Sequence, residues 1–149
     1  MVYDPFITID FIQFPWVHQV SMEDIFKETD ILSLHVPLTT DTNQLVNKSY
    51  ISKFLKPFYL INTSRGKVVA TDAVVEAIAN KMLLGAALDV LEFESLSFEQ
   101  LTQEQLPESF KKLITLNNVV LSPHIAGWTI ESHRKISEVL ANKILELNS

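Results

Sequence analysis

The chain has 149 residues, 47% of them hydrophobic, a net charge of -6 and no cysteine. That is long enough for one domain with a sizeable core. The missing cysteine excludes disulfides and thiolate metal sites and fits the cytoplasm, and the acidic balance argues against general nucleic-acid binding. No apolar run is long and uncharged enough to span a membrane. The N-terminus lacks the basic start of a signal peptide, with Asp4 and Asp10 interrupting its apolar residues.

In chain order, Met1-Val2-Tyr3-Asp4-Pro5 reads as a strand cut short at its start and ended by Pro5. An acidic residue closing a strand can hold a ribose through its hydroxyls, although an ordinary strand-end Asp looks the same. Ile7, Ile9 and Phe11 alternate with polar residues like a strand. Phe14, Pro15 and Trp16 break that pattern and leave 6–16 without an assignment. Ser21-Met22-Glu23-Asp24 is a capping-box-like start for a helix to about Glu28. Residues 30–36 then read as a buried strand stopped by Pro37, followed by a polar loop through Thr42. Asn47 can cap a helix running through Ile51 to about Leu55.

Residues 58–62 form the next expected strand, with Thr63-Ser64-Arg65-Gly66 as its exit loop. Thr71 or Asp72 starts a helix with Val74, Val75, Ile78 and Leu83 as core candidates. A strand at 85–90 follows, then a long acidic connection over 91–118 with helical pieces near 98–104 and 108–113. Residues 119–121 form the last strand, and 129–147 the last helix, with Thr129 as its N-cap. Apolar strands alternating with helices indicate a parallel sheet covered on both faces.

Four strand ends carry polar groups: His35 with Pro37, Asn62 with Arg65, Asp89 with Glu94, and His124. The carboxyl ends of parallel strands share one edge, where such sheets place their ligands, so these groups converge. His124 lies in Ser122-Pro123-His124-Ile125-Ala126-Gly127, where Pro123 restricts the backbone and Gly127 permits a turn or a close ligand approach. A histidine there can give or take a proton near neutral pH. A carboxylate beside it, Glu94, would favour the imidazolium. Arg65 can bind a substrate carboxylate at two points. Asp89 can accept hydrogen bonds from an amide-bearing cofactor. Taken singly, each of these residues is as readily a surface or strand-end residue. Only Gly66, Gly85 and Gly127 are glycine, so a dinucleotide fingerprint of three glycines within six residues cannot be present.

From Asp30 to about Leu147 the chain closely resembles the second half of the nucleotide-binding domain of D-isomer-specific 2-hydroxyacid dehydrogenases, the phosphoglycerate dehydrogenase-like group. The resemblance rests on Leu34-His35-Val36-Pro37-Leu38-Thr39, Ile61-Asn62-Thr63-Ser64-Arg65-Gly66, Ala87-Leu88-Asp89-Val90 with Glu94, and Ser122-Pro123-His124-Ile125-Ala126-Gly127-Trp128-Thr129. Tyr3-Asp4-Pro5 resembles the segment that ends the family's second strand.

The resemblance implies an incomplete α/β, Rossmann-like doubly wound parallel sheet, with residues 1–149 a partial NAD-binding domain. It implies that Arg65 binds the substrate carboxylate, Glu94 partners His124, and His124 is the acid/base. Asp89 would hold the nicotinamide carboxamide and Asp4 the adenosine ribose, favouring NAD over NADP. His35, Val36, Pro37, Thr42, Thr63, Ser64 and Gly127 would line the cofactor with Arg65 and His124. A small 2-hydroxy or 2-keto acid substrate, a homodimer and no metal are expected. Ser95 replaces the proline usual after the catalytic Glu, the following loop is longer than the common form, and 7–20 does not match clearly.

The family's separate substrate domain has no counterpart here, nor do its first strand, Gly-rich turn and first helix. That strand lies at the centre of a 3-2-1-4-5-6 sheet, and residues 7–11 are the one candidate to replace it. Weak NAD binding and no turnover are expected of the 149 residues alone. An NADH-responsive, corepressor-like binding module and a non-catalytic truncated remnant are the alternatives.

Overall fold

The structure is a computed structural model and describes residues 1–93 and 106–147. Its elements in chain order are α1 (Met22–Glu28), β1 (Ile31–Leu34), α2 (Lys48–Ile51), β2 (Phe58–Asn62), a 3-10 turn (Gly66–Val68), α3 (Thr71–Ala79), β3 (Leu83–Leu88), α4 (Glu108–Leu113), β4 (Val119–Leu121) and α5 (Ile130–Leu147). The four strands form one sheet in the order β1-β2-β3-β4, and every pairing is parallel. All four strand carboxyl ends therefore lie along one edge.

Local chemistry explains most element ends. Ser21 and Asp24 form the expected reciprocal capping box of α1. Asn47 caps α2 by accepting from the Tyr50 amide at 3.0 Å. The helix stops at Ile51, short of Leu55, because the Lys53 and Phe54 amides turn to carbonyls three residues back and the Leu55 amide donates to the Phe26 carbonyl instead. Thr129 caps α5 by accepting from the Ser132 amide at 3.0 Å. Leu83, assigned to the third helix by its spacing, is instead the first residue of β3 and is fully buried. The helical piece expected at 98–104 lies outside the described residues.

Packing is one-sided. Register places Leu60, Asn62, Ala86 and Leu88 on the covered face. They pack with Val46, Ile51, Val68, Val74 and Leu113 in one core. Phe54 stacks on Phe58 at 3.9 Å between ring centroids, and Phe26 packs edge-on against Phe54 at 5.1 Å, so aromatic contacts join α1 to β2. Burial, with Tyr3 close by, pushes the neighbouring Tyr50 phenol up to about 12. The opposite sheet face leaves Ile31, Tyr59 and Val120 exposed. Among the described residues that face stays uncovered: α5, the longest of their helices, buries none of its residues.

The N-terminal segment is also simpler than expected. Val2 and Gln19 form one isolated parallel bridge, closed by the Val2 amide on His18 and the Val20 amide on Val2. Residues 7–11 form no strand. Backbone groups of Ile7 and Ile9 are taken by side chains: the Ile9 amide donates to Gln19 Oε1, Gln19 Nε2 donates to the Ile7 carbonyl, and the Ile7 amide donates to Asp4 Oδ1. Local side-chain hydrogen bonds of this kind compete with a sheet ladder.

Candidate active site

Each strand of the edge ends in a loop with its own anchor. After β2, Asn62 is completely buried. Its Oδ1 accepts from the Ser64 amide at 3.1 Å and the Ser64 hydroxyl at 2.8 Å, and its Nδ2 donates to the Arg65 carbonyl at 3.1 Å. This fixes the path into Arg65. The Arg65 side chain is exposed, with Nη1 donating to the Ser64 carbonyl at 2.7 Å. Gly66 is required next: a Cβ there would lie 1.8 Å from the Leu91 carbonyl oxygen.

After β3, the Asp89 amide donates to the Asn62 carbonyl at 3.0 Å, which ties the second and third strand ends together. The Asp89 carboxylate is buried. Its Oδ1 accepts from the Ser122 hydroxyl at 2.6 Å and the Ile125 amide at 2.9 Å, and its Oδ2 accepts from the Ala126 amide at 2.9 Å. Burial pushes this carboxyl up, but the Ser122 hydroxyl, the Ala126 and Ile125 amides and nearby His124 outweigh it and hold it below the usual carboxylate range.

After β4, the turn wraps around that carboxylate. The His124 amide donates to the Asp89 carbonyl at 2.9 Å and to the Ser122 carbonyl at 3.0 Å. His124 is the residue that adopts the left-handed conformation, at φ 55. Gly127, expected to permit the turn, has no positive φ, and a Cβ there would meet nothing within 4 Å. A non-glycine residue in this region carries a local cost that the surrounding bonds must offset, and Asp89 supplies them. The imidazole is left exposed at the edge.

The other expected site residues are placed less directly. His35 follows β1 and shares a 2.8 Å hydrogen bond with Ser33. Val36 is half-buried, and Pro37 and Thr63 are exposed at the same edge. The Thr42 hydroxyl donates to the Pro37 carbonyl at 2.6 Å and closes its own loop. Ser64 is occupied with Asn62. Asp4 Oδ1 accepts from the Phe6 and Ile7 amides, which leaves Oδ2 for any ribose. Glu94 lies outside the described residues. Ser122, which the sequence did not single out, emerges as a ligand of Asp89, and Asn62, expected as a polar strand-end group, is the anchor of Arg65. Their positions beside Pro123 and three residues before Arg65 were the available signals.

A parallel-sheet edge with an exposed His, an exposed Arg and open space at Gly127 fits the nicotinamide end of a dinucleotide with a small anionic substrate. No glycine-rich turn is present to bring backbone amides onto a pyrophosphate. Among the described residues no group of three His, Asp or Glu side chains could hold a metal ion. None of their helices is long and apolar enough to cross a membrane. A cleft of 470 Å³ lies elsewhere, between α2 and α3, and is lined by none of the site residues.

Residues 1–126 match the family model described as D-isomer specific 2-hydroxyacid dehydrogenase, NAD binding domain. The chain is 40% identical over 131 residues to glyoxylate reductase of Thermofilum pendens, covering 88% of this chain and 35% of that protein. It is 35% identical over 130 residues to hydroxypyruvate reductase of Thermotoga maritima, covering 87% and 40% respectively. Among solved structures it superimposes on the NAD-complexed D-isomer specific 2-hydroxyacid dehydrogenase of Lactobacillus delbrueckii ssp. bulgaricus with a TM-score of 0.84 at 32% identity, covering 98% of this chain and 44% of that one. The D-lactate dehydrogenase of Aquifex aeolicus complexed with NAD and lactic acid gives 0.79 at 33% identity, covering 97% and 44%. The chain thus spans well under half the length of these relatives.

Proposed function

Because the chain belongs to the D-isomer specific 2-hydroxyacid dehydrogenase family, we propose that it carries the catalytic residues of an NAD-dependent oxidoreductase that interconverts a 2-hydroxy acid and a 2-keto acid. The observation that carries this reading is the His124 turn, which Asp89 holds at the edge reached by the Arg65 loop. We assign residues 1–149 to part of an NAD-binding domain, with the rest of the enzyme supplied by other sequence.

When bound, the nicotinamide supplies or accepts the hydride at C2 of the substrate. In the reducing direction Arg65 grips the substrate carboxylate and orients the adjacent carbonyl. The His124 imidazolium gives its proton to the carbonyl oxygen as C2 is reduced, yielding the 2-hydroxy acid. In the oxidising direction neutral His124 takes the hydroxyl proton. Glu94 is proposed to favour the imidazolium. Asp89 keeps a lone pair on Oδ2 for a carboxamide while its other acceptor sites hold the turn. Asp4, His35, Val36, Pro37, Thr42, Thr63, Ser64 and Gly127 complete the proposed cofactor surface. A homodimer is proposed on the exposed apolar residues of α5, and a cytoplasmic location on the absence of cysteine.

The test joins this chain to a first strand, Gly-rich turn and substrate domain of the family and follows NADH oxidation with glyoxylate, hydroxypyruvate or pyruvate. Turnover is expected, and Arg65→Ala or His124→Ala should each lower it by about 10²–10⁴-fold. Turnover unchanged by either substitution refutes the assigned roles. The 149 residues alone should show no low-micromolar NADH affinity by calorimetry.

A further inference from the structure

Glu92 follows β3, and both its carboxylate oxygens are used. Oε2 accepts the Thr71 amide at 2.9 Å, and Oε1 accepts Gln44 Nε2 at 2.8 Å. Thr71 opens α3, whose N-cap, Ala70, has no side chain able to cap it. Glu92 therefore serves as a cap reaching across 21 residues of sequence, and a carboxylate is favoured at that end of a helix. Gln44 sits in the left-handed region at φ 49, and its amide donates to the Lys67 carbonyl at 2.7 Å. Lys67 is two residues beyond Arg65. On the other side, the Gly66 backbone packs directly on the Leu91 carbonyl.

The segment that follows Arg65 is thus held at three points: Gly66 by Leu91, Lys67 by Gln44, and Thr71 by Glu92. Glu92 joins the last two, and it is two residues before Glu94 in sequence. We propose that Glu92 is a positioning residue whose carboxylate ties the loop carrying Arg65 to the chain leaving β3 after Asp89, so that the substrate-binding loop and the Asp89-held strand end are set in one register. This rests on the role proposed above for Arg65. Glu92 itself touches neither substrate nor cofactor in this role.

Amide hydrogen exchange on the 149-residue chain tests the tie directly. In Glu92→Ala the Thr71, Val68 and Val69 amides should exchange about tenfold faster, while the Leu60 amide in β2 keeps its rate. Gln44→Asn is the second variant, because Asn tolerates positive φ but its shorter amide falls short of Glu92. It should speed the Val68 and Val69 amides and leave the fold intact even if Glu92→Ala does not fold. Unchanged Thr71, Val68 and Val69 rates, or an equal acceleration of every amide including Leu60, would overturn the proposal. In the completed enzyme Glu92→Ala should raise KM for the 2-keto acid about tenfold with KM for NADH unchanged. Equal rises in both constants also overturn it. If Arg65→Ala leaves the keto-acid KM untouched, the function proposed above fails, while the exchange result still decides whether the tie exists.

Discussion

The His124 amide donates to the Asp89 carbonyl at 2.9 Å, while the Asp89 carboxylate accepts the two amides that follow His124. One residue at the end of β3 therefore shapes the whole turn after β4. The aspartate expected mainly as a cofactor contact is first of all the support of the proposed acid/base residue.

Replacing Asp89 tests that support. In Asp89→Asn the amide nitrogen cannot accept the Ala126 N–H, so one part-buried donor loses its partner, at about 1–3 kcal/mol. The pH dependence follows from the lowered folded-state value. The ionised carboxylate contributes stability that is fully present above its ordinary pKa of 3.8 and is lost as pH falls through the lower folded value. Chemical denaturation of the wild type should therefore show a stability loss below about pH 4 that is smaller in Asp89→Asn. Parallel acid profiles for the two proteins would show that the carboxylate does not stabilise the turn.

The two site glycines should behave oppositely. Gly66→Ala places a carbon 1.8 Å from a backbone oxygen, and neither backbone can move without dislodging the Arg65 loop. A loss of about 3 kcal/mol or more is expected in thermal or urea unfolding. Gly127→Ala enters open space at an ordinary φ and should change stability by less than about 0.5 kcal/mol. Equal losses would mean that the turn at Gly127 is packed more closely than it is in this structure.

The α5 surface should drive association. Ile136, Leu140 and Ile144 recur every four residues and are each more than half exposed. The uncovered sheet face adds Ile31, Tyr59 and Val120. Sedimentation of the 149-residue chain should report concentration-dependent self-association, and Ile136→Lys with Leu140→Lys should weaken it. A wild-type chain that stays monomeric, or an unaffected double variant, would remove α5 as the contact.

Much of this molecule is legible in order of residues alone. The capping pair Ser21 and Asp24, the caps Asn47 and Thr129, and the strand at Phe58–Asn62 follow from local propensity and hydrogen-bonding chemistry. So does the alternation of strands and helices that makes a parallel sheet and gathers His35, Arg65, Asp89 and His124 on one edge. Local pattern failed where long-range partners decide. The alternation of Ile7, Ile9 and Phe11 suggested a strand, but Gln19 and Asp4 take backbone groups of Ile7 and Ile9. Spacing put Leu83 on a helix that ends at Ala79.

The strand-and-helix order, the family and the identity of the candidate chemical groups are legible from residue type and spacing along the chain. The folded chain sets what holds those groups. It put the left-handed turn at His124 rather than Gly127, gave the Asp89 carboxylate to Ser122, Ile125 and Ala126, and set Glu92 on the start of α3. Each of these is a contact between residues more than twenty positions apart or a strain that such contacts offset. Neither leaves a mark in local composition.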